Sequence, residues 1–127
     1  MRRLMALGLL GVLGACAAAE LSGPRYVVYF EEWSASLDDG GHATVAQAAK
    51  AANLQPAAAV HVVGYADPEG SPQANRDLSR TRAQVVADGL VAAGVVLPRI
   101  RVEAHGSVGY AMDSQESRRV TITLDTP

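Results

Sequence analysis

The sequence predicts an α/β (α+β) two-layer sandwich: two main helices on a mixed four-stranded sheet, in the order β-α-β-α-β-β. Three observations carry this. The chain has 127 residues, enough to bury one core and not two. Four short stretches have the β-branched composition or alternation of strands, and two longer stretches between them have helical spacing and stop at a proline or a glycine. An apolar content of 49% against 19% charged residues fits a globular chain and excludes wholesale disorder, collagen-like repeats and coiled coil. Alanine and valine dominate the apolar half.

The first fifteen residues stand outside that domain. Arg2 and Arg3 precede LMALGLLGVLGA, a charged start and an uncharged apolar run too short to span a hydrocarbon layer of about 30 Å, which needs about 20 residues. Residues 1–15 therefore read as a cleaved signal peptide. They end in Leu13-Gly14-Ala15-Cys16, which resembles the lipobox of bacterial lipoproteins, where the cysteine is lipidated and becomes the new N-terminus. Cys16 is the only cysteine, so no internal disulfide is available and packing alone must hold the domain. The resemblance implies three acyl chains on Cys16, more than the two signals needed for stable anchoring, and with Ala17 rather than aspartate next it implies export to the outer membrane. Residues 16–25 form a short tether, whose nine residues after Cys16 reach roughly 30 Å when extended. Cleavage leaves 112 residues with nine basic and thirteen acidic side chains, a net charge of −4, so nucleic acid is not an expected partner.

The domain, 26–127, opens with YVVYF at 26–30, a strand whose lack of alternation suits cover on both faces or on one crowded face. Residues 37–53 read as a helix, with Asp38 and Asp39 at its positive end, Lys50 near its negative end and Pro56 stopping it. AAAVHVVGY, ending at Tyr65, is a second strand, closed by the two prolines and the glycine of DPEGSP. The strongest helix spans 73–93 and ends at Gly94. IRVEAHG is the third strand. After the polar loop 107–117, RRVTITL alternates Val120, Ile122 and Leu124 with Thr121 and Thr123, as a strand with one wet face would.

Projected at 100° per residue, the long helix puts Ala74, Leu78, Val85, Val86, Gly89, Leu90 and Ala93 on one face and Arg76, Asp77, Arg80, Gln84 and Asp88 opposite. Asn75 and Arg82 fall inside the apolar face, two turns apart. A charge there must be matched. Either Arg82 snorkels or pairs with a core carboxylate, or it lines a cleft with Asn75. Asp67 favours the cleft, since it sits just past the second strand and ahead of the helix, where ligands bind in α/β sheets. An acid and an arginine converging there can read a zwitterion, the carboxylate accepting from an ammonium and the guanidinium gripping a carboxylate.

Other chemistry is not expected. His42, His61 and His105 have no metal-ligand spacing, so neither a metal nor another cofactor is expected. Ser107 lacks the glycine two positions before it that a nucleophile elbow requires. Glu31 and Glu32, adjacent at a strand end, point to opposite sides. The chain does not read as an enzyme.

Asn75, Leu78, Ser79, Arg82, Ala83, Val86 and Leu90 match the pattern N-x-x-L-S-x-x-R-A-x-x-V-x-x-x-L, GYADPEG at 64–70 is similar to a G-x-T-D-x-x-G turn, and SRRVTITL to a closing N-R-R-V strand. The chain thus resembles the OmpA C-terminal-like domain over about 26–124, in the layout of its lipid-anchored, peptidoglycan-associated members. The resemblance implies a periplasmic domain that binds peptidoglycan non-covalently through diaminopimelate of the stem peptide, linking the outer membrane to the wall. It implies that Asp67 takes the ammonium and Arg82 the carboxylate, that Asn75 adds a polar contact or orients the turn, and that Arg118 supports the pocket or reaches the ligand. Backbone near Trp33 is expected on the opposite wall. Ala66 and Ser117 replace the family's threonine and asparagine, and the loop 106–117 is shorter than usual. The alternative is a module that contacts other envelope proteins, with Asp67 and Arg82 kept only as an internal salt bridge.

Overall fold

A computed structural model of the chain describes residues 23–107 and 117–126; the leader, Cys16, the tether up to residue 22 and the shortened loop at 108–116 lie outside the described residues. The elements are β1 (Arg25–Tyr29), α1 (Asp39–Leu54), β2 (Ala59–Ala66), α2 (Pro72–Ala92), a 3-10 turn (Leu97–Arg99), β3 (Ile100–Ser107) and β4 (Arg119–Asp125). The four strands form one sheet in the order β1-β4-β2-β3. β2 and β3 run parallel through the α2 crossover, and β4 is antiparallel to both β1 and β2. This is the predicted mixed sheet with two helices. The last strand in sequence lies inside it, so the outer edges belong to β1 and β3.

Local chemistry sets the helix ends. Asp38 caps α1 by accepting from the Gly41 amide at 2.7 Å, and Ser71 caps α2 by accepting from the Ala74 amide at 3.0 Å, with Pro72 at the first helical position. α2 closes in a Schellman motif: the Val95 amide donates to the Leu90 carbonyl at 3.0 Å and the Gly94 amide to the Val91 carbonyl at 3.0 Å, with Gly94 at φ +99°. At the end of α1 the expected cation is not Lys50, which lies a turn too early. Arg99, from the 3-10 turn, donates instead to the carbonyls of Ala52 at 3.0 Å, Gln55 at 2.8 Å and Ala58 at 2.9 Å. It closes the end of α1 and binds the following loop. Arg99→Met is expected to lower stability by about 2 kcal/mol, since three carbonyls lose a charged donor. An unchanged urea midpoint would mean that water serves them equally well.

The core lies between the helices and the inner sheet face: Val60, Val62, Val120, Ile122 and Leu124 from the centre of the sheet against Val86 and Leu90 of α2 and Val45, Ala48 and Ala52 of α1. Alanines let the helices come close. Closest of all is α2 on β2, where a Cβ on Gly64 would stand 2.0 Å from the Ser79 carbonyl oxygen. Three expectations are adjusted. β1 is an edge strand covered on one face only, the second of the two alternatives: Val28 is buried in the core with Val45 and Ala48 of α1 while Tyr29, pointing the other way, is exposed. Thr121 and Thr123 are buried rather than wet, because β4 runs between two neighbours whose side chains cover them. On α2 the buried face is centred on Ser79, Arg82, Ala83, Val86, Ala87 and Leu90; Ala74 and Ala93 at the helix ends are exposed and Val85 is half-buried.

Candidate functional site

The ends of β1 and β2 and the start of β4 meet on one side of the sheet, and α2 begins there. Asp67 is the first residue beyond β2. The turn that follows it reaches α2 through Gly70, at φ +89°. Asn75, one turn into α2 and 1% exposed, fastens this turn by donating from Nδ2 to the Glu69 carbonyl at 2.8 Å. That bond fixes the amide's orientation, and it leaves Oδ1 buried with no hydrogen-bond partner among the described residues. Buried polar atoms are nearly always satisfied, so an acceptor without a partner among the described residues calls for an explanation.

Arg82, two turns further along α2, is completely buried. Its Nε donates to the Ser34 carbonyl at 2.8 Å, Nη2 to Glu31 at 3.0 Å and Nη1 to Tyr65 at 3.2 Å, and its guanidinium lies 5.4 Å from the Phe30 ring centroid. It thus clasps the β1–α1 loop to the end of β2. Burial lowers its pKa, while the nearby Asp67 carboxylate raises it and Arg118 lowers it further. Asp67 is held from the other side. Ser117 donates its hydroxyl to Asp67 Oδ1, and Arg118 Nη1 stands 3.6 Å from Oδ2 while its Nε donates to the Phe30 carbonyl at 3.0 Å. The ion pair of Asp67 is therefore with Arg118, and Arg82 spends its hydrogen bonds on main-chain oxygens.

Trp33, Asp67, Asn75, Leu78 and Arg82 line a cleft of about 170 Å³ including its mouth, of which about 10 Å³ is wide enough for the centre of a water molecule. Asp67, Asn75 and Arg82 thus come together as the spacing suggested. Arg118 stands behind Asp67, outside the lining. Trp33 is at the mouth with its whole side chain. It is 56% exposed and holds φ +54°, a conformation that costs a non-glycine residue on the order of 1 kcal/mol. Its six-membered ring rests on Gly70, where a Cβ would come within 2.9 Å of the ring. Sequence reasoning missed Ser117 as the group that orients Asp67, since a hydroxyl fifty residues away gives no local signal. Leu78 was legible as an apolar helix position but not as a wall of the cleft. Elsewhere His61 lies 3.7 Å from Asp125, His105 packs against Tyr65 with centroids 4.9 Å apart, and the described residues hold no group of three side chains suited to a metal.

Residues 29–121 match the model of the OmpA family, a span that takes in every residue of the cleft. The chain belongs to the OmpA family. It is 37% identical over 103 residues to the probable lipoprotein YiaD of Escherichia coli (strain K12), a match covering 76% of this chain and 47% of that protein, so it spans about half the length of that relative. Among solved structures it is similar to the peptidoglycan-associated lipoprotein of Burkholderia pseudomallei, with a TM-score of 0.72, 25% identity and coverage of 78% of this chain and 89% of that one. The C-terminal domain of Helicobacter pylori MotB superposes with a TM-score of 0.69 at 24% identity, over 80% of this chain and 84% of that one, which speaks to the fold alone. As an OmpA-family domain the chain departs from the family turn at Ala66. This residue is fully buried and is not among the residues that line the cleft.

Proposed function

We propose that this OmpA-family domain binds peptidoglycan non-covalently, seating the zwitterionic end of diaminopimelate in the cleft between the turn after β2 and the first two turns of α2. The observation that carries the reading is Asn75 Oδ1, buried without a partner among the described residues, in a residue that lines one cleft with Asp67 and Arg82. The distal carbon of diaminopimelate bears an ammonium and a carboxylate. The ammonium has three donors to place, and Asp67 and Asn75 Oδ1 are acceptors; Asp67 stays available because Ser117 and Arg118 fix its orientation without filling all its lone-pair sites. The carboxylate needs donors, and Arg82 has five N–H groups of which three are committed to carbonyls. A lysine-containing stem peptide would bring the ammonium without the carboxylate, and the loss of charged hydrogen bonds, about 1.5–3 kcal/mol, favours diaminopimelate by roughly ten- to hundredfold.

Lipidation of Cys16 would hold the domain on the outer membrane, facing the periplasm, so that wall binding links membrane to wall. A Cys16→Ser chain is expected to leave the membrane fraction. The site is tested by co-sedimentation with purified sacculi. Asp67→Asn keeps the shape of the side chain and removes its charge, and is expected to lower the pelleted fraction at least tenfold. Equal pelleting of wild type and Asp67→Asn would overturn the assignment, and no pelleting of the wild type would favour contact with other envelope proteins instead.

A further inference from the structure

We infer that the Trp33 indole is a movable wall of the cleft, which swings off Gly70 to admit the ligand and then packs, opposite Leu78, on the methylene chain of the bound diaminopimelate residue. This rests on the reading of the cleft given above and extends it to a residue that the family pattern does not include. Of the described residues lining the cleft, Asp67, Asn75 and Arg82 carry the polar chemistry, and Trp33 and Leu78 are apolar. Diaminopimelate has the same division: a zwitterionic end, then a short hydrocarbon stem leading to the peptide. With the polar end on Asp67, Asn75 and Arg82, the stem must leave through the mouth, where the indole stands.

With the indole on Gly70 the cleft has little room for the ligand beyond its mouth. About 10 Å³ takes one water, and an ammonium, a carboxylate and three methylenes need several times that room. Something at the mouth must move, and the contacts single out Trp33. The Glu31 and Ser34 carbonyls on either side of it are tied to Arg82, and the Ser34 amide donates to the Glu31 carbonyl at 3.1 Å, so the backbone of this turn is pinned. That pinning holds Trp33 at positive φ and points its side chain across the mouth to Gly70. The indole itself is more than half exposed. Its far edge meets a residue with no side chain, so few contacts are lost when it turns about χ1. A fixed turn carrying a loosely seated ring is a hinge at the level of one side chain. Closing the ring over a hydrocarbon stem removes apolar surface of both from water, a contribution that a polar residue at the mouth would not supply.

Trp33 is the only tryptophan in the chain, so its fluorescence reports the mouth alone. Titration of the full chain with a muropeptide carrying diaminopimelate is expected to shift the emission to shorter wavelength, saturating at the concentration at which binding by calorimetry saturates. Trp33→Ala is expected to fold, because the side chain is exposed, with an unchanged far-ultraviolet circular dichroism spectrum and affinity weakened about ten- to fiftyfold. Trp33→Phe should recover most of that affinity. Trp33→Gly, which removes the strained conformation together with the ring, should be at least as heat-stable as wild type yet bind as poorly as Trp33→Ala, a combination that a purely structural tryptophan would not give. Calorimetric binding by wild type with no change in emission, or equal affinity of wild type and Trp33→Ala, overturns the Trp33 assignment and leaves the cleft reading standing. Absence of muropeptide binding by wild type overturns both.

Discussion

Arg82→Ala is expected to remove about 3–5 kcal/mol of stability, lowering Tm by 15 °C or more for a domain of this size. The side chain is completely buried and touches three main-chain carbonyls from two segments, Glu31 and Ser34 of the β1–α1 loop and Tyr65 at the end of β2. Burial makes the charged form costly, as the lowered pKa records, and those carbonyls offset the cost. Alanine removes the charge but leaves three oxygens short of a donor and a cavity the size of an arginine. Lysine is expected to recover little. One ammonium cannot reach carbonyls set around a planar fork, so Arg82→Lys should melt closer to Arg82→Ala than to wild type. Differential scanning calorimetry of the three proteins decides it, and a melting point for Arg82→Lys within a few degrees of wild type would refute the fork argument. Because Arg82 is both a clasp and a proposed ligand contact, loss of wall binding in these variants cannot be assigned to either role. Asp67→Asn separates them.

Gly64→Ala is expected to cost about 3 kcal/mol or more, an unusually large effect for adding one methyl group. The new Cβ would lie 2.0 Å from the carbonyl oxygen of Ser79 and 2.9 Å from its carbon. Both belong to the main chain of α2, so no rotamer change relieves the clash and the helix has to retreat. α2 carries Asn75, Leu78 and Arg82, so the retreat should also open the cleft. The expected result is a lowered denaturation midpoint together with weakened binding to sacculi. Ser79→Gly in the same chain should not rescue it, because the obstructing atoms remain. A Gly64→Ala protein of wild-type stability would mean that helix and sheet slide more freely than their packing implies.

Much of the fold was readable because its determinants are local. Apolar runs, Asp38 and Asp39 at a helix start, Pro56 and Gly94 act within a few residues of themselves, and the two helices and four strands follow from them. The convergence of Asp67, Asn75 and Arg82 was readable for a related reason, since two lie on one helix at seven-residue spacing and the third lies five residues ahead of that helix. What sequence could not supply was set by contacts far apart along the chain. Arg99 closes the end of a helix more than forty residues earlier. Ser117 and Arg118 reach back across fifty residues to Asp67. The burial of Thr121 and Thr123 depends on β4 inserting between β1 and β2, and nothing in an alternating strand distinguishes a central place from an edge. Trp33 was expected near the opposite wall only through its backbone, because the place of its side chain depends on where Gly70 comes to rest.

The sheet also has a direction. Arg25 pairs with Thr123 at one end of β1, and Phe30 meets Arg118, the partner of Asp67, at the other. The chain therefore enters the domain about 17 Å, a five-residue strand, from the end where the cleft opens. Whatever holds the segment before Arg25 holds the domain by its far pole. Attachment through that segment, as proposed above, would present the cleft outward from the point of attachment and make the thickness of the domain part of its reach.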